Sequence, residues 1–219
     1  MRLRIYQIDH DKDVNDLSFM PYKKIDKVDP GIYRKVFDAE ADVKSLEEAF
    51  QLFNTKGHPL HNGRSMSVSD VIVTKDGAFY CDSIGFTETE FDESKVDLSD
   101  QIKVLYVEPH KKPFEAEIPD TLTAKQKAVG GFIEFVYNTD ETALVCDEEA
   151  KLKCKEGNRY LDGGGIIAGN FLVVGLGEED CRSLTDEEIQ RYKDKYSEPP
   201  VIDDEETAAD VGFQFIGFM

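Results

Sequence analysis

The chain contains no tryptophan, only four cysteines among 219 residues, and too few bases to balance its acids. Each shortage excludes something. Cys81, Cys146, Cys154 and Cys181 are scattered without a C-x-x-C pair, so the spacing encodes no disulfide framework. His10, His58, His61 and His110 all lie upstream of Cys146 and Cys154, which leaves no ligand set of ordinary zinc spacing. No metal and no cofactor is expected. No run approaches the roughly 18 apolar residues of a membrane span. Residues 1–9, MRLRIYQID, lack the apolar core of an export signal, so reduced thiols and a cytoplasmic location are expected. With 26 Lys+Arg against 45 Asp+Glu the formal charge is −19, and direct contact with a nucleic-acid backbone is disfavoured by repulsion.

What is present suits a folded α+β protein. Hydrophobic residues make up 40% and charged residues 32%, enough for two ordinary domains with their own cores. The acidic stretch Thr87–Asp100 reads as the divide, giving domains at 1–95 and 102–198 with a 96–101 linker. Glu198-Pro199-Pro200 then sets off an acidic tail, 199–219. The charge is graded: net −5 over 1–95, −1 over 96–99, −8 over 100–198 and −5 over the tail.

In the first domain, Arg2–Gln7 and Tyr33–Phe37 read as strands. Ser45-Leu46-Glu47-Glu48 is a capping box opening a helix that ends near Gly57. Val68–Thr74 and Ala78–Ile84 form a hairpin about Lys75-Asp76-Gly77. In the second, strands are predicted at Ile102–Val107, Phe114–Ile118, Phe132–Tyr137 and Thr142–Cys146, the last two joined through Asn138–Glu141. One buried strand is predicted over Ile166–Gly175. Thr123–Gln126 and Thr185–Glu188 read as further capping boxes, the first helix stopping at Gly130-Gly131 and the second running to Tyr196. Each sheet is expected to be mixed or antiparallel with one or two helices.

Several patterns invite a chemical reading. Gly163–Gly165 lacks the Gly-Lys-Ser/Thr of a phosphate loop and precedes a β-prone segment, so it reads as a plain connection. His58-x-x-His61 is interrupted by Pro59 and followed by Asn62-Gly63, which is turn chemistry on an exposed loop. Ser65, Ser67 and Ser69 place three hydroxyls on one face of an extended segment ending at Asp70. Without a nucleophile elbow, they read as a strand edge able to meet a partner. Asp147-Glu148-Glu149 and Glu178-Glu179-Asp180 are acidic clusters, the second candidate partner surface. The segment Val211–Phe215 alternates apolar and small or polar residues and reads as a C-terminal strand that docks on a sheet or joins a second subunit.

Two stretches resemble known families. IYQI, LEEAFQLFN with its following HP, SMSVSDVI and DGAFYCDSIGF, within Ile5–Phe86, resemble a YodL-like domain. IKVLYVEPHKKP, LTAKQKAVGGFIE, ALVCDEEAKL, IIAGNFLVVGLG and SLTDEEIQRY, within 102–196, resemble a second family, a domain of unknown function. Leu161–Gly165 departs from that pattern, being richer in glycine than expected. The resemblance carries no catalytic motif, and implies a setting in conjugative and integrative elements of gut bacteria. Surface carboxylates can imitate the phosphates of a duplex. The expectation is therefore a non-enzymatic accessory protein that binds a DNA-acting defence enzyme or a conjugation protein. The alternative is a structural adaptor in conjugation or plasmid maintenance, with homo-oligomers through the C-terminal strand.

Overall fold

The first strand, β1 (Arg2–Ile8), buries Leu3, Ile5 and Tyr6 and recruits partners on both edges. In the computed structural model, which describes residues 1–25, 27–137 and 141–210, β1 pairs antiparallel with β2 (Tyr33–Glu40), slipping register between Ile5 and Tyr6. Helix α1 (Leu46–Thr55) follows, then β3 (Val71–Thr74), β4 (Gly77–Cys81) and β5 (Phe86–Thr89). The strand order is β5-β4-β3-β1-β2. Tyr6, Val28, Tyr33, Val71, Tyr80 and Val96 form its core cluster.

The chain divides into two units: Met1–Gln101 with Glu117–Pro119, and Ile102–Ala116 with the chain from Asp120 onward. The second unit draws on β6 (Gln101–Val107), β7 (Phe114–Pro119), α2 (Leu122–Val129), β8 (Ile133–Tyr137) and β9 (Thr142–Asp147). It continues with β10 (Gly157–Tyr160), β11 (Ile166–Ala168), β12 (Phe171–Leu176), β13 (Cys181–Arg182), α3 (Asp186–Lys195) and α4 (Asp204–Ala209). Within it the order is β6-β12-β9-β8, with β13 on β12 and a separate β10-β11 pair. Leu105, Leu144, Phe171, Val173, Ile189 and Tyr192 anchor its core. The described ladders within the two units are antiparallel, and helices with antiparallel strands make the fold α+β.

Local chemistry departs from the sequence reading at several points. Ser45 caps α1 by accepting from the Glu48 amide at 3.2 Å, but Glu48 reaches the amide of Lys44, not of its cap. For α2 the cap is Thr121, two residues before the proposed Thr123, and it accepts from Ala124 N. The stretch taken as a linker is folded. It holds β5, a 3-10 turn at Glu93–Lys95, and Val96, which is buried in the first core. Glu93 accepts from Arg4 at 2.6 Å and from the Tyr6 hydroxyl, so this segment is tied down and not a free tether.

The long strand predicted over Ile166–Gly175 is two strands. Gly169, at φ +69°, turns the chain between them, and the Asn158 amide donates to the carbonyls of Gly169 (2.6 Å) and Val107 (3.1 Å). The acidic run of the tail starts helix α4, with Asp203 accepting from Glu205 N at 2.7 Å. Carboxylates in a first turn are stabilised by the exposed amides there. The C-terminal strand expected at Val211–Phe215, and the connection Asn138–Asp140, lie outside the described residues.

Helix α3 forms its capping box as read, Thr185 and Glu188 exchanging bonds with each other's amides. Arg182 also donates two bonds of 2.8 Å to Glu188. These Arg182 bonds outweigh burial, and with the Thr185 amide they pull the Glu188 carboxyl from 4.5 down to about 2. A depressed acid stabilises the fold above its unfolded value, and that contribution is lost as pH falls through the folded value. Melting curves recorded from pH 5 to pH 2 should therefore fall more steeply for wild type than for Glu188→Gln. The difference is on the order of 2 kcal/mol after solvent screening.

Candidate functional site

Met66 is buried, but Ser65–Asp70 does not form a strand edge. Ser65 is exposed and Ser67 half-buried, whereas Ser69 and Asp70 are fully buried. Asp70 accepts from Arg64 through both terminal nitrogens (2.6 and 3.0 Å), from Gln7 Nε2 (3.0 Å) and from Ser67 N (2.8 Å). Burial still dominates and pushes its carboxyl above the ordinary range, against those donors. Ser69 sits at φ +81°. Its hydroxyl accepts from Phe19 N at 3.0 Å and its carbonyl from the Tyr33 hydroxyl at 2.9 Å. The proposed partner edge is thus corrected at Ser69 and Asp70: both groups spend their bonding capacity inside the first unit.

Arg64, held by Asp70, lies over the Phe19 ring at 4.9 Å, a cation–π arrangement that also shields the pair. It lines an open cavity of about 480 Å³ with Gln7, His10, Asp13, Phe19 and Arg34. His58 and His61 are not an exposed loop pair. His61 is buried against Phe53, and His58 Nδ1 accepts from Leu60 N. Among the described residues no group of three or more His, Cys, Asp or Glu is placed to hold a metal ion.

The two acidic clusters of the second unit separate into different roles. The Asp147 carboxylate is fully buried and paired with Lys155 at 2.6 Å and Lys153 at 3.0 Å. Burial opposes its ionisation, but bonds from Lys155, the Glu149 amide and Lys153 outweigh it and hold the carboxyl below the usual range. Asp147 is therefore a structural carboxylate, which corrects its assignment to a partner surface. Glu149 shares Lys153 at 3.2 Å, while Glu148 is exposed. Glu178, Glu179 and Asp180 are all exposed on the loop between β12 and β13, and Asp180 closes that loop by accepting from Gly177 N at 2.9 Å.

Asp147 also explains Gly130-Gly131. Gly130 ends α2 in the left-handed region at φ +73°, where glycine carries no Cβ penalty. Gly131 is required by proximity, since a Cβ there would stand 2.2 Å from the Asp147 carboxylate. Gly131→Ala should cost about 1–3 kcal/mol through forced displacement of packed atoms. Gly163→Ala, with nothing within 4 Å of its Cβ, should be nearly neutral. Urea denaturation midpoints compare the two.

Gly163–Gly165 is the connection of the β10-β11 hairpin, closed by Leu161 N on Gly165 O at 2.9 Å. Beside it a cleft of about 260 Å³ is lined by Val136, Cys146, Leu152, Leu161 and Ile167, with Asp210 at its wall. Burial pushes the Cys146 thiol up to about 12, which takes it out of use as a nucleophile near neutrality.

Sequence reasoning missed Arg64, Lys153 and Lys155 as the ions that neutralise the candidate acids. The signal was local, since Lys153 and Lys155 lie six and eight residues beyond Asp147 and Arg64 six before Asp70. No helix among the described residues is long and apolar enough to cross a membrane. No curated protein and no solved structure matches the chain. Two family models do match, one over residues 2–91 and the other over residues 102–197. The chain carries a YodL-like domain followed by a domain of unknown function (DUF3846).

Proposed function

We propose that the protein is a non-enzymatic accessory protein of a mobile genetic element, cytoplasmic, which acts by binding a protein partner through an acidic face of its second unit. The observation that supports this reading most is the β12–β13 loop. Glu178, Glu179 and Asp180 are exposed there with no ion pair among the described residues, whereas Asp147, Glu149 and Glu188 are neutralised by Lys153, Lys155 and Arg182. Unneutralised carboxylates on a net −19 chain steer toward basic surfaces. A host enzyme that acts on DNA, as in anti-restriction, offers such a surface.

The test is capture from a bacterial lysate on immobilised protein, eluted in rising salt. Release of a nuclease or methyltransferase at moderate salt, and its loss from Glu178→Lys/Glu179→Lys/Asp180→Lys, is the expected outcome. The division into two units favours a second reading, an adaptor that holds a conjugation partner on each. Retention of conjugation or replication proteins through high salt would replace the first reading with the second.

A further inference from the structure

We infer that the open cavity of the first unit binds a small aromatic monocarboxylate, its carboxylate on Arg34 and Arg64 and its ring against Phe19. This inference is independent of the acidic-face reading, which concerns the second unit. The cavity lies on one face of the β1–β2 ladder. Gln7 and Arg34 stand opposite each other in that ladder, and directly opposed residues of an antiparallel pair point to the same side. The Gln7 side chain holds the neighbouring wall in place, its Nε2 donating to Arg64 O at 2.9 Å and its Oε1 accepting from Arg64 N at 3.0 Å. Both arginines therefore line one hollow of about 480 Å³, within the roughly 300–1,000 Å³ usual for small-molecule sites.

The chemistry of the walls selects the ligand. Asp70 fixes the Arg64 guanidinium through both terminal nitrogens, yet the Arg64 side chain stays 34% exposed. Arg34 is exposed and carries the planar fork that meets a carboxylate with two parallel bonds. Phe19 sits at φ +65°, a left-handed backbone that a bulky residue adopts only where its surroundings enforce it. They do so from both sides. Asp13 accepts from Leu17 N at 2.7 Å and Ser18 N at 2.9 Å, Ser69 Oγ from Phe19 N at 3.0 Å, and Met20 O from the Tyr80 hydroxyl at 2.7 Å. These bonds hold a ring that is 58% exposed at the cavity wall, where a second ring can pack on it. Asp13 and Asp16 line the same cavity and limit the ligand's charge. One negative charge is matched by the guanidiniums, whereas a second, as on a phosphate monoester, meets their repulsion.

The test titrates the full chain, labelled with nitrogen-15, with naphthoate and reads backbone amide and arginine Nε–H signals by NMR. Saturable shifts at Phe19, Arg34 and Arg64 are expected. Naphthamide, which lacks the charge, and naphthyl phosphate, which adds one, should each bind about tenfold more weakly or worse. Arg34→Gln and Phe19→Ala, both at exposed positions, should weaken naphthoate by a similar factor while melting as the wild type does. No saturable shift at millimolar naphthoate, shifts confined to other surfaces, or unchanged affinity in Arg34→Gln would overturn the inference. Equal binding of naphthamide would also overturn it, and tighter binding of naphthyl phosphate would replace the monocarboxylate with a phosphate ligand.

Discussion

Replacing Asp70 with alanine should lower stability by about 3–5 kcal/mol, the range for removing one partner of a buried ion pair. Four donated bonds from Arg64, Gln7 and Ser67 end on this carboxylate, and its side chain is wholly shielded from solvent. Truncation leaves the Ser67 amide without an acceptor, takes from the Gln7 amide one of its two acceptors, the other being the Arg64 carbonyl at 2.9 Å, and removes the anchor that holds Arg64 over Phe19. Asp70→Asn should recover only part of the loss, because the amide keeps one acceptor oxygen and presents an NH₂ to the guanidinium. Denaturant unfolding followed by near-ultraviolet tyrosine signals measures both. A cost within 1 kcal/mol for the alanine variant would contradict the assignment of Asp70 as the organising group of the Ser65–Asp70 segment.

The second large effect is expected at Arg159, which is 3% exposed and has no carboxylate partner among the described residues. Its guanidinium donates to Asn158 O and Oδ1 (2.9 and 2.7 Å), to Lys111 O (2.8 Å) and to Tyr196 O (3.0 Å). Tyr196 is the C-cap of α3, where a cation is favoured by the helix dipole and the unpaired carbonyls. Burial pulls this guanidinium below its usual range, yet a guanidinium stays protonated at any ordinary pH. Arg159→Ala would strand the Lys111 and Tyr196 carbonyls together, at a cost of about 2–4 kcal/mol. Arg159→Lys should restore little, since one ammonium lacks the fork that spans both. Calorimetric melting of the two variants separates a positional requirement for the fork from a need for charge alone.

Much of the fold was legible because its signals are local. The Thr185–Glu188 box, the Lys75-Asp76 hairpin loop and the Gly130 stop each depend on residues within one turn of each other, and these features formed. What was not legible depends on contacts between distant residues. Asp70 looks like a surface carboxylate until Gln7, 63 positions away, is brought to it by the pairing of β1 with β3. Glu93 looks like part of an acidic tether until Arg4 reaches it across 89 positions. Ile166–Gly175 has the composition of a single buried strand. It breaks at Gly169, which turns the chain at φ +69° and whose carbonyl accepts from the Asn158 amide.

The candidate site follows the same division. Charge runs are visible in a sequence, but which members are neutralised depends on folding. In Asp147-Glu148-Glu149 the first acid is buried under two lysines, while Glu178-Glu179-Asp180 remains exposed. The charge reversal that informs on binding therefore belongs at Glu178–Asp180. At Asp147 it would break the fold and report nothing about a partner.

The most direct test of the proposed action is enzymatic. A DNA-cleaving or DNA-methylating enzyme recovered by the capture experiment is assayed on its DNA substrate at low salt, with increasing amounts of this protein. The account predicts inhibition by the wild type that weakens as salt rises, and none by the folded Glu178→Lys/Glu179→Lys/Asp180→Lys variant. Full enzyme activity in the presence of a large excess of wild type, or equal inhibition by the variant, would contradict it.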